Sequence, residues 1–230
     1  MNAAIILSGG TGSRMGSDIP KQYIEAGGKP IIAYCISVLE SSADIDRIVV
    51  VAAEEYRDLI RSLFSDKDKF FGFANPGENR QLSILSGMNL LKSVIKNDDN
   101  VIIHDAARPL ITNKLISDIT EALNGSEAVL PVLPIKDTLY IVEDGRVRGN
   151  LDRDKTGAGQ APEGFRFGTY LDAVESLLPD RILDISGSMQ PAVMAGMDIA
   201  CIPGDEMNFK ITTPADLARF TEIINTGKLC

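Results

Sequence analysis

Ala3-Ala4-Ile5-Ile6-Leu7-Ser8-Gly9-Gly10-Thr11-Gly12-Ser13-Arg14-Met15-Gly16 is the stretch on which the reading of this chain turns. Its first five residues form a short apolar run that stops at glycines, the pattern of a buried strand in a parallel sheet. The glycines that follow let the backbone come close to a ligand and aim N–H groups at phosphate oxygens. The segment closes with Pro20-Lys21-Gln22. Two standard phosphate loops fail here. A GxGxxG pattern from Gly10 needs glycine where Met15 stands, and a Walker loop ending at Gly28-Lys29 meets Tyr23 and Pro30 at required positions. Arg14 and Lys21 add a guanidinium fork and a point charge suited to a triphosphate. Taken alone, the segment reads equally well as a glycine-rich turn with solvent-facing cations.

Outward from this loop, strands and helices alternate. From Pro30, the positions Ile31, Ile32, Tyr34, Cys35, Val38 and Leu39 keep helical spacing. Ile48–Ala52 reads as a strand, Glu54–Phe64 as a helix and Phe70–Ala74 as another strand. Ile84, Met88, Leu91 and Ile95 share a helical face after Arg80, Val101–His104 is strand-like, and Leu115, Ile116, Ile119 and Leu123 mark a further helix. Such alternation predicts an α/β fold, a three-layer doubly wound, mostly parallel sheet. Ligands then bind beyond the carboxyl ends of the strands, where residues 8–21 and 105–109 both fall. After Leu130 the pattern changes. Thr138–Val142 and Val147–Leu151 flank an Asp144-Gly145 hairpin signal. An isolated hairpin is marginal in water, so a projecting arm over about residues 137–160 predicts packing on a second subunit, hence a homodimer. Thr213-Pro214-Ala215-Asp216 reads as a helix start, with Leu217, Phe220 and Ile224 as its buried stripe. Without a linker or repeat, residues 1–230 read as a single domain.

Composition narrows the function. Of 230 residues, 44% are apolar and 24% charged, as in ordinary globular proteins. A net charge of −9 argues against a nucleic-acid partner, while a small anion needs only a local cluster of cations. No apolar run is long enough for a bilayer, and none resembles a signal peptide. Cys35, Cys201 and Cys230 are scattered and odd in number, which fits a reducing cytoplasm better than a disulfide framework or zinc site.

The glycine-rich loop with Pro20-Lys21-Gln22 resembles the signature of the sugar-phosphate nucleotidyltransferases. Within them the chain is most similar to the cytidylyltransferases acting on 2-C-methyl-D-erythritol 4-phosphate or ribitol 5-phosphate. His104-Asp105-Ala106-Ala107-Arg108-Pro109, Lys136-Asp137-Thr138, Gln160-Ala161-Pro162 and Asn208-Phe209-Lys210-Ile211-Thr212 follow in the family's order and spacing. The resemblance implies that Ser8, Gly9, Gly10, Thr11 and Gly12 hold base and phosphates, while Arg14, Lys21 and Lys210 stabilise charge at the α-phosphate. It implies that Gly77 and Ser83 meet cytosine and ribose, and that Asp105, next to Ala106, holds Mg²⁺. Arg108, Thr138 and Arg153 would grip the acceptor phosphate, the last two from the partner's arm. His104, the one histidine, reads as a strand-end residue bonded to backbone rather than a base, since the attacking phosphate is already an anion.

The match departs from the family in two places. The Thr-Asp-(Glu/Ala) element expected near the polyol is absent from Leu183–Pro191, and the usual Gln-Thr-Pro-Gln reads Gln160-Ala161-Pro162-Glu163. Both changes are expected in the acceptor region. Methylerythritol phosphate is the expected acceptor, with ribitol 5-phosphate as the alternative; a non-catalytic nucleotide-binding domain and an NAD-linked oxidoreductase are the readings of other classes.

Overall fold

The computed structural model describes residues 1–10, 19–65 and 68–227. In chain order its elements are β1 (Asn2–Leu7), the small hairpin β2 (Glu25–Ala26) and β3 (Lys29–Pro30), α1 (Ile31–Ser41), β4 (Arg47–Val51), α2 (Arg57–Ser62), β5 (Phe70–Ala74), α3 (Arg80–Leu91), β6 (Asn100–Asp105) and α4 (Asn113–Ala122). Then follow β7 (Ala128–Pro134), the hairpin β8 (Tyr140–Glu143) and β9 (Arg146–Asn150), β10 (Gly157–Gly159), β11 (Glu163–Arg166), α5 (Phe167–Glu175), α6 (Gln190–Met194), β12 (Ile199–Pro203) and α7 (Pro214–Asn225).

The opening apolar run becomes the inner strand of the main sheet. β1 pairs in parallel with β4 on one side and β6 on the other, Ile5 lying opposite Val49 and Ile103. Successive side chains of a strand point to opposite faces. Ala3 and Ile5 therefore enter one core with Ile84 and Met88 of α3 and Phe165, while Ala4 and Ile6 enter another with Ile36 of α1 and Ile116 of α4. All four strand residues are fully buried. Covering both faces of β1 forces three layers, as the alternation predicts. A third cluster forms where α7 lays Phe220 against Ile31 and Ala26. A capping box between Thr213 and Asp216 starts α7 where the sequence places it.

The sheet is mixed in one half. β11 runs antiparallel between β6 and β7, with Glu163 opposite Ile103, and β12 returns in parallel along the far side of β7. Residues 54–64 split into a 3-10 turn, Glu54–Tyr56, followed by the short α2. α3 stops at Leu91, and Ile95 is buried beyond its end. In the arm, the turn sits at Asp144 (φ 50°) and Gly145 (φ 70°), the left-handed pair that an Asp-Gly hairpin turn requires. Its first strand begins at Tyr140 rather than Thr138. No helix among the described residues is long and apolar enough to cross a membrane.

α3 approaches β1 so closely that a Cβ on Gly87 would lie 2.9 Å from Ile5 Cγ2. Helix propensity alone would favour any larger residue there, but packing wins at a contact this tight. Gly87→Val should therefore lower stability by about 1–3 kcal/mol by chemical denaturation, as overpacking does; a stability gain would contradict this account.

Candidate active site

The carboxyl ends of β1 and β6 lie side by side, Leu7 opposite Asp105, and a pocket of about 450 Å³ opens beyond them. One wall is the start of the glycine-rich loop, with Gly9, Gly10 and Lys21 on its surface. This wall is built from beneath. Gln22 Nε2 donates to the carbonyls of Ser8 and Gly10, each at 2.8 Å. Tyr23 OH lies 2.7 Å from Ser8 Oγ, its ring stacked on Tyr56 at 3.9 Å. Gly9 is needed for a close approach, because a Cβ there would lie 2.6 Å from Pro76 Cβ.

The facing wall is the turn into α3. Asn79 Oδ1 caps the helix by accepting from Leu82 N at 2.8 Å, and its Nδ2 donates to Ile182 O at 2.8 Å. Ser83 Oγ accepts from Gly77 N at 3.0 Å and donates to Asn79 O at 2.9 Å. These bonds fix Gly77 and Ser83 at the pocket edge.

Asp105 forms the floor. Its Oδ1 accepts from Arg80 Nη2 at 2.9 Å and its Oδ2 from Lys210 Nζ at 2.9 Å, with Arg108 Nε 3.9 Å from Oδ2. Burial alone would raise this carboxyl, but the Arg80, Lys210 and Arg108 charges hold it well below the usual carboxylate range. Asp105 is thus an anion throughout the physiological range. Behind Arg80 stands Glu163, its Oε2 3.9 Å from Arg80 Nη2. Burial pushes the Glu163 carboxyl from 4.5 up to about 7, Arg80 opposing the shift and Asp105 adding to it. His104 is fully buried with Nε2 3.0 Å from Arg108 O, the backbone-bonded position expected for it. Burial draws its imidazole from 6.5 down to about 4.

Among the described residues no three acidic, histidine or cysteine side chains cluster as a metal cage. A hard divalent cation commonly uses one or two carboxylates and takes its remaining oxygens from substrate phosphates and water. The ionised Asp105 beside a cationic pocket fits that donor set.

The fold thus brings together Ser8, Gly9, Gly10, Lys21, Gly77, Ser83, Asp105 and Lys210. Ala106 is buried next to them, its N–H on Leu7 O at 3.1 Å. Arg108 stands at the edge of the group, its Nη1 donating to Asn208 O at 2.8 Å and its Nε 3.9 Å from Asp105 Oδ2. Thr11, Gly12 and Arg14 lie outside the described residues. Thr138 and Arg153 are exposed on the arm and do not line the pocket. Glu163 packs behind the Asp105 cluster, because β11 inserts beside β6, with its Oε2 3.9 Å from Arg80 Nη2.

Sequence reasoning passed over Arg80. A signal was present, since an arginine in the first turn of a helix faces the positive end of the dipole and calls for an acid from elsewhere. Glu163 carried a signal too, as an acid opening an otherwise buried strand.

Known proteins were compared with this geometry. The family model described as 2-C-methyl-D-erythritol 4-phosphate cytidylyltransferase matches residues 2–226. The protein of that name from Clostridioides difficile strain 630 is 34% identical over 230 residues, covering 99% of this chain and 95% of the relative. The one from Rubrobacter xylanophilus is 35% identical over 219 residues, covering 93% of this chain and 90% of the relative. A solved structure of the Francisella tularensis protein, 28% identical, superposes with a TM-score of 0.80 over 96% of this chain and 99% of that one.

Glu163 and His104 act oppositely on stability. The folded chain retains a proton on Glu163 that the unfolded chain releases between pH 4.5 and about 7, so this contribution falls as pH rises through that window. The folded chain refuses a proton at His104 that the unfolded chain takes between about 4 and 6.5, so that contribution rises with pH. Glu163→Gln removes the first and leaves the second. Its stability should climb from pH 4 to 6.5 and exceed the native chain's at pH 8 by about 2–3 kcal/mol in denaturant titrations. A variant weaker than native at pH 8 would contradict it.

Proposed function

The chain belongs to the 2-C-methyl-D-erythritol 4-phosphate cytidylyltransferase family, and from that premise we propose that it transfers the cytidylyl group of CTP to the phosphate of 2-C-methyl-D-erythritol 4-phosphate, releasing pyrophosphate in isoprenoid precursor synthesis. One observation supports this reading above others: backbone of Gly9 and Gly10 and the cations Lys21, Arg80 and Lys210 surround a single pocket at the strand ends. Ribitol 5-phosphate is not favoured as acceptor, because the family model and the relatives carry the methylerythritol description.

An acceptor phosphate oxygen attacks the α-phosphorus of CTP in line. The new phosphorus–oxygen bond forms as the bond to the α,β-bridging oxygen breaks, and that electron pair leaves with pyrophosphate. No base is required, in keeping with a His104 sealed in the core. Backbone N–H groups and lysines positioned before the reaction stabilise charge without reorganising, the usual source of rate in phosphoryl chemistry. Lys21 from the glycine-rich loop and Lys210 from beside Asp105 both line the pocket and hold the α-phosphate; Arg14 belongs to the same loop as Lys21. Gly77 and Ser83 meet the cytidine. Asp105 would hold magnesium alongside the triphosphate, and the bound ion would help neutralise the leaving charge.

The acceptor phosphate is gripped by Arg108 and by Thr138 and Arg153 from the arm of a second subunit. Tyr140, Val142 and Val147 leave that arm with apolar side chains exposed, which docking on a partner would cover. Residues 1–230 act as one catalytic domain in this homodimer. A cytoplasmic setting accords with the free thiols Cys35 and Cys201.

Pyrophosphate release should occur with CTP, magnesium and methylerythritol phosphate, and Lys21→Ala should lower the rate by about 10²–10³-fold. Silence from folded protein that binds no CTP would end the assignment. If the arm reaches the partner's pocket, mixing inactive Lys21→Ala and Arg153→Ala proteins should restore roughly a quarter of native activity, because each mixed dimer regains one intact site. No recovery after subunit exchange would place Arg153 in its own subunit's site or in none.

A further inference from the structure

Asp105 spends both carboxylate oxygens on cations of its own chain, Arg80 at Oδ1 and Lys210 at Oδ2, each at 2.9 Å. A magnesium-bound nucleotide brings further positive charge to Asp105, which repels both cations and favours the release of one. Arg80 has a second acceptor close by. Its Nη1 is buried with no hydrogen-bond partner, and Glu163 Oε2 is buried with none either. Arg80 Nη2 already stands 3.9 Å from that oxygen, just beyond hydrogen-bond range. A buried guanidinium nitrogen and a buried carboxyl oxygen left unsatisfied this near each other carry a cost that a small turn of the guanidinium relieves. A planar fork offers several N–H donors, so Arg80 can change partner without leaving its place.

We propose that Glu163 is the second carboxylate of Arg80, a positioning residue that receives the guanidinium when the magnesium-bound nucleotide takes Asp105. The exchange frees Asp105 Oδ1, keeps the Arg80 charge on the pocket wall and satisfies both orphaned atoms at once. It rests on the functional reading above, in which Asp105 meets the metal-bearing triphosphate. The carboxylate is a departure of this chain, since a glutamine at position 163 offers an oxygen without charge. Lys210 and Arg108 also face Asp105, but neither of them has an ion-pair contact with Glu163.

Simple electrostatics predicts the opposite sign, because removing an anion near the pocket should tighten CTP binding. Calorimetric titration of CTP, with and without magnesium, separates the two. Glu163→Gln should bind CTP about fivefold more weakly with magnesium, as expected when a charge-assisted bond becomes a neutral one, and no more weakly without it. The loss should vanish in an Arg80→Ala background, where there is no guanidinium to receive. Arg80→Lys, which keeps the charge but cannot fork, should reproduce the magnesium-dependent loss with Glu163 intact. Folded Glu163→Gln that binds CTP with magnesium as tightly as native, or that loses the same affinity with Arg80 absent, overturns the proposal. A native chain that fails to bind CTP with magnesium would instead remove the functional reading, and the inference with it.

Discussion

A carboxylate buried at the end of β6 sets the terms for everything around it. Asp105 is 8% exposed, and an ion so placed is tolerated only where opposite charge and hydrogen bonds replace the lost water. Those come from three places far apart in sequence. Arg80 arrives on α3, Arg108 on the turn that follows β6, and Lys210 on the segment between β12 and α7. The cluster is complete only when the sheet is, because Arg80 and Lys210 come to Asp105 from 25 and 105 positions away. Folding and the assembly of a phosphate-ready pocket are therefore one event in this molecule, and removing one cation would strand a buried charge.

The supporting bonds follow the same logic at shorter range. Gln22 and Tyr23 lie beneath the start of the glycine-rich loop and bond to the carbonyls of Ser8 and Gly10, which fixes the course of that backbone. On the opposite wall, Asn79 uses its acceptor on the helix and its donors on a distant loop, a division open to an amide and closed to an aspartate. His104 bonds to the carbonyl of Arg108 and closes the turn that aims Asp105 at the pocket. Each of these side chains acts on backbone, and backbone placement is what a phosphate site needs.

Much of this was legible in the sequence because it rests on local rules. The apolar run Ala3–Leu7 ending in glycines located the inner strand and the ligand loop. Asp144-Gly145 located the arm's turn, and Thr213-Pro214 located the start of α7. What escaped was non-local. The insertion of β11 between β6 and β7 is written in no periodicity, and it carries Glu163 to the back of Arg80. Arg80 itself stood in a segment valued for Gly77 and Ser83, with its partner 25 positions away in sequence. The break in the helix over residues 54–64 and the early stop at Leu91 are boundary effects, decided by packing rather than propensity.

The loop around Leu183–Gln190 shows why a departure from the family pattern need not disturb the pocket wall at α3. The segment around Leu183–Gln190 is tethered by its carbonyls: Ile182 O accepts from Asn79 Nδ2 at 2.8 Å and Ser188 O from Tyr170 OH at 2.7 Å. Gln81 Nε2 in turn donates to that Tyr170 hydroxyl at 3.0 Å, so both tethers lead back to the first turn of α3 or its cap. Bonds to main-chain oxygens place no demand on side-chain identity. Leu183, Asp184 and Ser186 are exposed and can differ from the family's Thr-Asp element while the loop keeps its position. Loop placement is thus fixed by Asn79 and Tyr170, and the chemistry the loop presents is free to vary.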